Sequence, residues 1–157
     1  MDIEKDAQII AHMRRDGRTA LTAISKKTGL PVSTIFDRIK GCSAITRYSA
    51  LLDFREIGFG CRAIVLLRTT KDKKRELGQH LLHHPYVNSL HKINNGMDYL
   101  LEGVFKDLGH IEQFIEDIEE RYTLRTKEVH YLLEEMKREG FMTDPASARA
   151  VAQGRMG

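Results

Sequence analysis

The spacing of apolar residues changes near residue 41, and that change divides the chain. In "DIEKDAQIIAHMRRDG" (2–17), Ile3, Ala7, Ile10 and Met13 recur at helical spacing, behind Asp2 as N-cap and ahead of Gly17 as a stop. "TALTAISKKTG" (19–29) reads as a second helix, with Leu21 and Ile24 inward, Lys26 and Lys27 outward, and Gly29 as the left-handed residue past its end. A third helix begins after Pro31. It places Val32, Ile35, Phe36 and Ile39 on one side and Ser33, Thr34, Asp37, Arg38 and Lys40 on the other. Three helices with a tight Gly-containing turn between the second and third predict a helix-turn-helix unit.

Beyond Gly41 the pattern turns to strands. "ITRYSALLDF" (45–54) and "CRAIVLLRTT" (61–70) are β-rich runs separated by the two-glycine loop "REIGFG". "KDKKRELGQHLLHHP" predicts a helix with Leu77, Leu81 and Leu82 inward, closed by Pro85. "YVNSLHKI" and "YLLEGVFK" are strands joined by the hairpin connection "NNGMD" (94–98). "DLGHIEQFIEDIEERY" predicts a helix capped by Asp107, with Ile111, Phe114, Ile115 and Ile118 on its buried face. "KEVHYLLEEMK" fits either period; as a strand it completes β-α-β-β-α-β from residue 61 to about 138, a ferredoxin-like arrangement. The resulting α+β organisation is a helix-turn-helix over 1–45, a linker strand and loop over 46–60, a βαββαβ domain over 61–138, and a flexible tail over 139–157. The 61–70 strand is apolar on both sides, Ala63, Val65 and Leu67 against Ile64 and Leu66. One side covers helices; the other needs a cover from a second copy, which makes this domain the dimer interface.

Composition narrows the partners. Of the 157 residues 41% are hydrophobic and 30% charged, as in a folded, soluble protein. No apolar run spans a bilayer, "MDIEKDAQ" is no signal peptide, and Cys42 and Cys61 make neither a disulfide framework nor a zinc site. A cytoplasmic location without membrane contact follows. The net charge of +3 is unevenly placed: residues 1–47 hold nine Lys and Arg against five Asp and Glu, and the rest is nearly balanced. A polyanion suits the N-terminal part alone.

Four stretches carry a resemblance to a known family. Asp2, Asp6, Ile9-Ile10, Met13 and Asp16-Gly17-Arg18 stand where the leucine-responsive/asparagine-operon regulator (Lrp/AsnC) family shows D-x-x-x-D, I-L-x-x-L and D-G-R. "ALTAISKKTGLPVSTIFDRI" is similar to its L-S-x-x-V-G-L-S stretch, with Arg38 at the family's arginine. "ITRYSALLD" resembles its linker strand, and "NGMDYLL" its G-D-x-D-Y-L-L hairpin. The resemblance implies a winged helix-turn-helix followed by a βαββαβ domain that senses ligands and assembles the protein. It further implies double-stranded DNA as partner, homodimers that often build octamers, and a small-molecule effector such as an amino acid. It also favours a strand for 128–137. Two departures stand out: "DRIKGCSAITRY" is roughly one turn shorter than the family's third helix, and Asn95-Gly96 replaces the family's Gly-Asp.

Base readout requires side chains at the leading edge of a helix lying in the major groove. Ser33 and Thr34 occupy that edge, Asp37 can accept from cytosine or orient Arg38, Arg38 can bond guanine or a phosphate, and Lys40 and Lys26 suit phosphates. The resemblance implies that Asn95, Gly96, Asp98 and Tyr99 form an effector-binding or assembly loop, while turn chemistry alone also accounts for Asn95 and Gly96. Asp98 and Tyr99 are the candidates for holding an effector, Asp98 as the carboxylate for an ammonium group. His80 and His84 lie at i, i+4, but no Cys or carboxylate nearby completes a metal set, and they read as surface residues. No nucleophile motif, P-loop or acid/base pair is present, so neither an enzyme nor a cofactor site is expected. The competing reading is a small-molecule-sensing interaction protein whose helix-turn-helix no longer reads DNA.

Overall fold

The computed structural model describes residues 3–154, with side chains from Asp6 onward, so Asp2 as a cap and the Ile3 side chain lie outside the described residues. The elements in order are α1 (Ile3–Arg15), α2 (Leu21–Thr28), α3 (Val32–Lys40), β1 (Cys61–Thr69), α4 (Lys74–Leu82), β2 (Val87–Lys92), β3 (Tyr99–Phe105), α5 (Leu108–Arg121), β4 (Leu124–Tyr131) and α6 (Ala148–Ala152). They form two compact units, Met1–Leu51 with Met136–Gly157, and Leu52–Glu135.

In the first unit, Ile9, Ile24 and Ile35 meet as a small buried core, one residue from each of α1, α2 and α3. Gly29 ends α2 at φ 72°, a left-handed conformation that glycine adopts without penalty. The turn that follows is tied down by Ser25 Oγ, which donates to the Leu30 carbonyl at 2.6 Å. Among the described residues this unit contains helices and no strand. Neither the wing implied by the family resemblance nor the strand expected over 45–54 is formed among the described residues. That segment has no regular structure and is almost wholly exposed, and no second strand pairs with it among the described residues.

The expected frayed tail also differs. Ala148 of α6 is buried against Ala7 and Ala11 of α1, with Met142 and Ala152 alongside. Arg14 fastens the approach, donating to the Phe141 carbonyl at 2.7 Å and pairing with Glu139 at 3.0 Å.

The second unit is a four-stranded antiparallel sheet in the order β2-β3-β1-β4, with α4 and α5 packed on one face. Alternation decides that face: Ala63, Val65 and Leu67 of β1 and Tyr99, Leu101 and Phe105 of β3 are buried against Leu77, Leu81, Ile111, Phe114, Ile115 and Ile118. Asp107 caps α5 as its position predicts, accepting the His110 N–H at 2.9 Å. The ambiguous C-terminal run is a strand, but β4 covers 124–131, so only the first part of 128–137 belongs to the sheet. On the opposite face Ile64, Leu66, Leu100 and Val104 are only half-buried.

Candidate nucleic-acid interface and ligand site

α3 is amphipathic, but its faces are rotated from those expected. Ile35 is buried and Ile39 half-buried on the core side, whereas Phe36 is 53% and Val32 38% exposed. A nine-residue helix covered by a core of three isoleucines has room for only one inward stripe. The exposed residues Ser33, Phe36, Asp37 and Lys40 follow i, i+3, i+4, i+7, the spacing of one helical stripe. Thr34 lies at its margin, half-buried, and Lys26 is exposed on α2. From sequence alone Phe36 reads as core, because it is an apolar residue beside Ile35.

Arg38 points elsewhere. Its Nη1 pairs with Asp6 Oδ1 of α1 at 3.0 Å, with side chains 28% and 11% exposed. The guanidinium therefore joins α3 to α1 rather than extending from the exposed stripe.

In the hairpin, Asn95 and Gly96 both take positive φ, 58° and 83°, as the two central residues of a type I′ turn must. Asp98 faces inward. Its Oδ2 accepts the Thr69 N–H at 2.9 Å and its Oδ1 pairs with Lys74 Nζ at 2.6 Å. Burial works to raise the Asp98 carboxyl, but Lys74, the Thr69 N–H and Arg68 outweigh it and hold the group below the ordinary carboxylate range. Tyr99 is buried and donates to the Lys74 carbonyl at 2.9 Å. The two residues fasten the first turn of α4 to the sheet, so the structure gives each a partner within the fold.

His80 and His84 are not the surface residues expected. Their rings stand 5.5 Å apart, His84 lies edge-on to Phe114 at 4.8 Å, and His80 lies 5.6 Å from Tyr122. Burial pushes both imidazoles below their ordinary value. Among the described residues no three His, Cys, Asp or Glu side chains converge to hold a metal ion.

Residues 62–141, just over half of the chain, match the family model described as the Lrp/AsnC ligand binding domain. The chain belongs to the Lrp/AsnC family. An HTH-type transcriptional regulator, FL11 of Pyrococcus furiosus, is 27% identical over 134 residues, covering 80% of this chain and 89% of that one. Among solved structures, a Neisseria meningitidis transcriptional regulator in complex with L-Met superposes with a TM-score of 0.77 at 23% identity, covering 85% of this chain and 91% of that one. E. coli AsnC superposes with a TM-score of 0.77 at 13% identity, covering 88% and 96%. As an Lrp/AsnC protein the chain is a transcriptional regulator and not an enzyme. No described helix is long and apolar enough to cross a membrane.

Proposed function

We propose that this Lrp/AsnC regulator reads duplex DNA with the exposed stripe of α3, as a dimer paired through its second unit, under the control of a small-molecule effector. Ser33 and Asp37 are the hydrogen-bonding readers, Phe36 supplies apolar contact to thymine methyl groups, and Lys40 and Lys26 hold phosphates. Thr34 contacts the backbone from the margin of the stripe. Arg38 is reassigned: it sets the angle of α3 on α1, and its charge is spent on Asp6. The observation that carries this reading is the stripe itself, four exposed side chains at i, i+3, i+4, i+7 on the helix after the Gly29 turn. Nothing in the core of the first unit requires those residue types. The positive surplus of residues 1–47 supports it.

The half-buried Ile64, Leu66, Leu100 and Val104 support pairing of the sheets face to face, and two-fold symmetry suits two half-sites on DNA. Further assembly to octamers would use the exposed hairpin tip at Asn95 and Gly96. The L-Met bound to the Neisseria neighbour supports an amino-acid-sized effector, although Asp98 here is already satisfied by Lys74 and Thr69. The test is selection of binding sites from random duplexes by the full chain. Enrichment of a common sequence is the expected result. Salt-sensitive binding with no enrichment would overturn specific readout and return the chain to the interaction-protein reading.

A further inference from the structure

Between α4 and the sheet edge formed by β2 runs an open groove of about 650 Å³. Lys71, Arg75 and Lys92 line it as cations, together with Lys74, Leu82, Leu90 and Tyr99, and no carboxylate is among its lining residues. Glu76 is engaged outside the groove by Lys73 at 2.9 Å, whereas Asp98 pairs with the groove's own Lys74 at 2.6 Å and neutralises it. Lys71, Arg75 and Lys92 have no ion-pair partner among the described residues. Like charges gathered around one concavity repel each other, and a bound anion relieves that repulsion.

We infer that this groove binds a small organic anion carrying at least two negative charges and an apolar body. Its volume lies within the range of ordinary ligand pockets, about 300–1,000 Å³. The cations take the anionic groups, and Leu82, half the way out into solvent at 61% exposure, covers the apolar body from the α4 side. A zwitterionic amino acid is a poor occupant, because its ammonium meets three unpaired cations, and the one carboxylate beside the lining, Asp98, is held by Lys74 and Thr69. The groove borders the hairpin at Tyr99 and Lys74, but its unpaired charge comes from Lys71, Arg75 and Lys92. Only the regulatory consequence of binding rests on the effector part of the proposed function. Occupancy itself rests on the second unit and is independent of whether α3 reads DNA.

Isothermal titration of the full chain tests it with 2-oxoglutarate and citrate as carboxylates, adenosine monophosphate as a phosphate ester, and inorganic phosphate and L-methionine as controls. The expected result is saturable binding of at least one organic dianion, with inorganic phosphate weaker by tenfold or more. Which organic probe binds distinguishes a carboxylate from a phosphate ligand. Arg75→Ala and Lys92→Ala, both at exposed side chains, should each weaken that binding roughly tenfold, as expected for one charge-assisted contact, with thermal midpoints unchanged. Absence of binding by every dianion at millimolar concentration would overturn the inference. So would binding that both variants leave intact, or inorganic phosphate binding as tightly as the organic anions.

Discussion

Arg38→Ala separates a structural arginine from a base-reading one. In the wild type, Asp6 keeps 11% of its side chain exposed and Arg38 28%, with 3.0 Å between Nη1 and Oδ1. Removing the guanidinium leaves a nearly buried carboxylate facing the space it vacated. Breaking a fully buried pair costs about 3–5 kcal/mol and an exposed one under about 1, so this half-screened pair should cost about 2 kcal/mol. Asp6→Ala should cost a similar amount, and the double variant less than the sum, by a coupling energy of about 1 kcal/mol. The assay is urea unfolding followed by far-ultraviolet circular dichroism, which weights the all-helical first unit. After correction for the folded fraction, Arg38→Ala should bind selected and random duplexes with the same ratio as the wild type. A variant of undiminished stability that loses about 10–100-fold on the selected site alone would refute the reasoning and make Arg38 a base reader.

Three further outcomes follow from the second unit. A Cβ on Gly78 would stand 2.3 Å from the Tyr99 hydroxyl, so Gly78→Ala should displace that ring from the Lys74 carbonyl and cost about 1–3 kcal/mol by thermal unfolding. Leu66→Glu, on the open face of the sheet, should convert the proposed dimer to a monomer in sedimentation equilibrium, and a dimer that survives it would place the interface elsewhere. Acid should weaken the unit: burial first, then Arg121 for His80 and His80 itself for His84, lower both imidazoles, while Asp117 opposes. The unfolded chain then binds more protons, so stability is full above about pH 6.5 and falls as pH drops through the folded values. His84→Phe should lose part of that fall, and equal acid sensitivity in variant and wild type would contradict the assignment.

Where sequence pattern and packing agree, the sequence was sufficient. α5 was legible in full, because four large apolar residues at helical spacing and an Asp cap leave one solution. Gly29 and the Asn95-Gly96 pair were equally legible, since positive φ is a local requirement. The failures have a common cause in partners that are distant or missing. The 45–54 run has β-forming residues but no neighbouring strand among the described residues. α6 buries alanines, whose small side chains leave almost no periodic signal, against Ala7 and Ala11 some 140 residues away. At the candidate sites the same limit applied. Arg38 looked free because its partner Asp6 is 32 residues away, and Phe36 looked buried because composition cannot tell which side of a short helix the core occupies. The cations of the α4–β2 groove come from two separated segments and meet only when the sheet forms.

Discrimination between DNA sequences is the property proposed for the outward stripe of α3. Its most direct measurement is the ratio of affinities for a selected duplex and a scrambled one, by fluorescence anisotropy, in the wild type and in Phe36→Ala. Phe36 is exposed, so the variant should keep the wild-type thermal midpoint. Replacing the site's thymines with deoxyuridine removes the methyl groups Phe36 is assigned to touch. This replacement should weaken the wild type and leave Phe36→Ala nearly unaffected, with the specificity ratio of the variant reduced several-fold. An unchanged ratio in Phe36→Ala, together with equal losses on deoxyuridine in both proteins, would contradict the proposed readout.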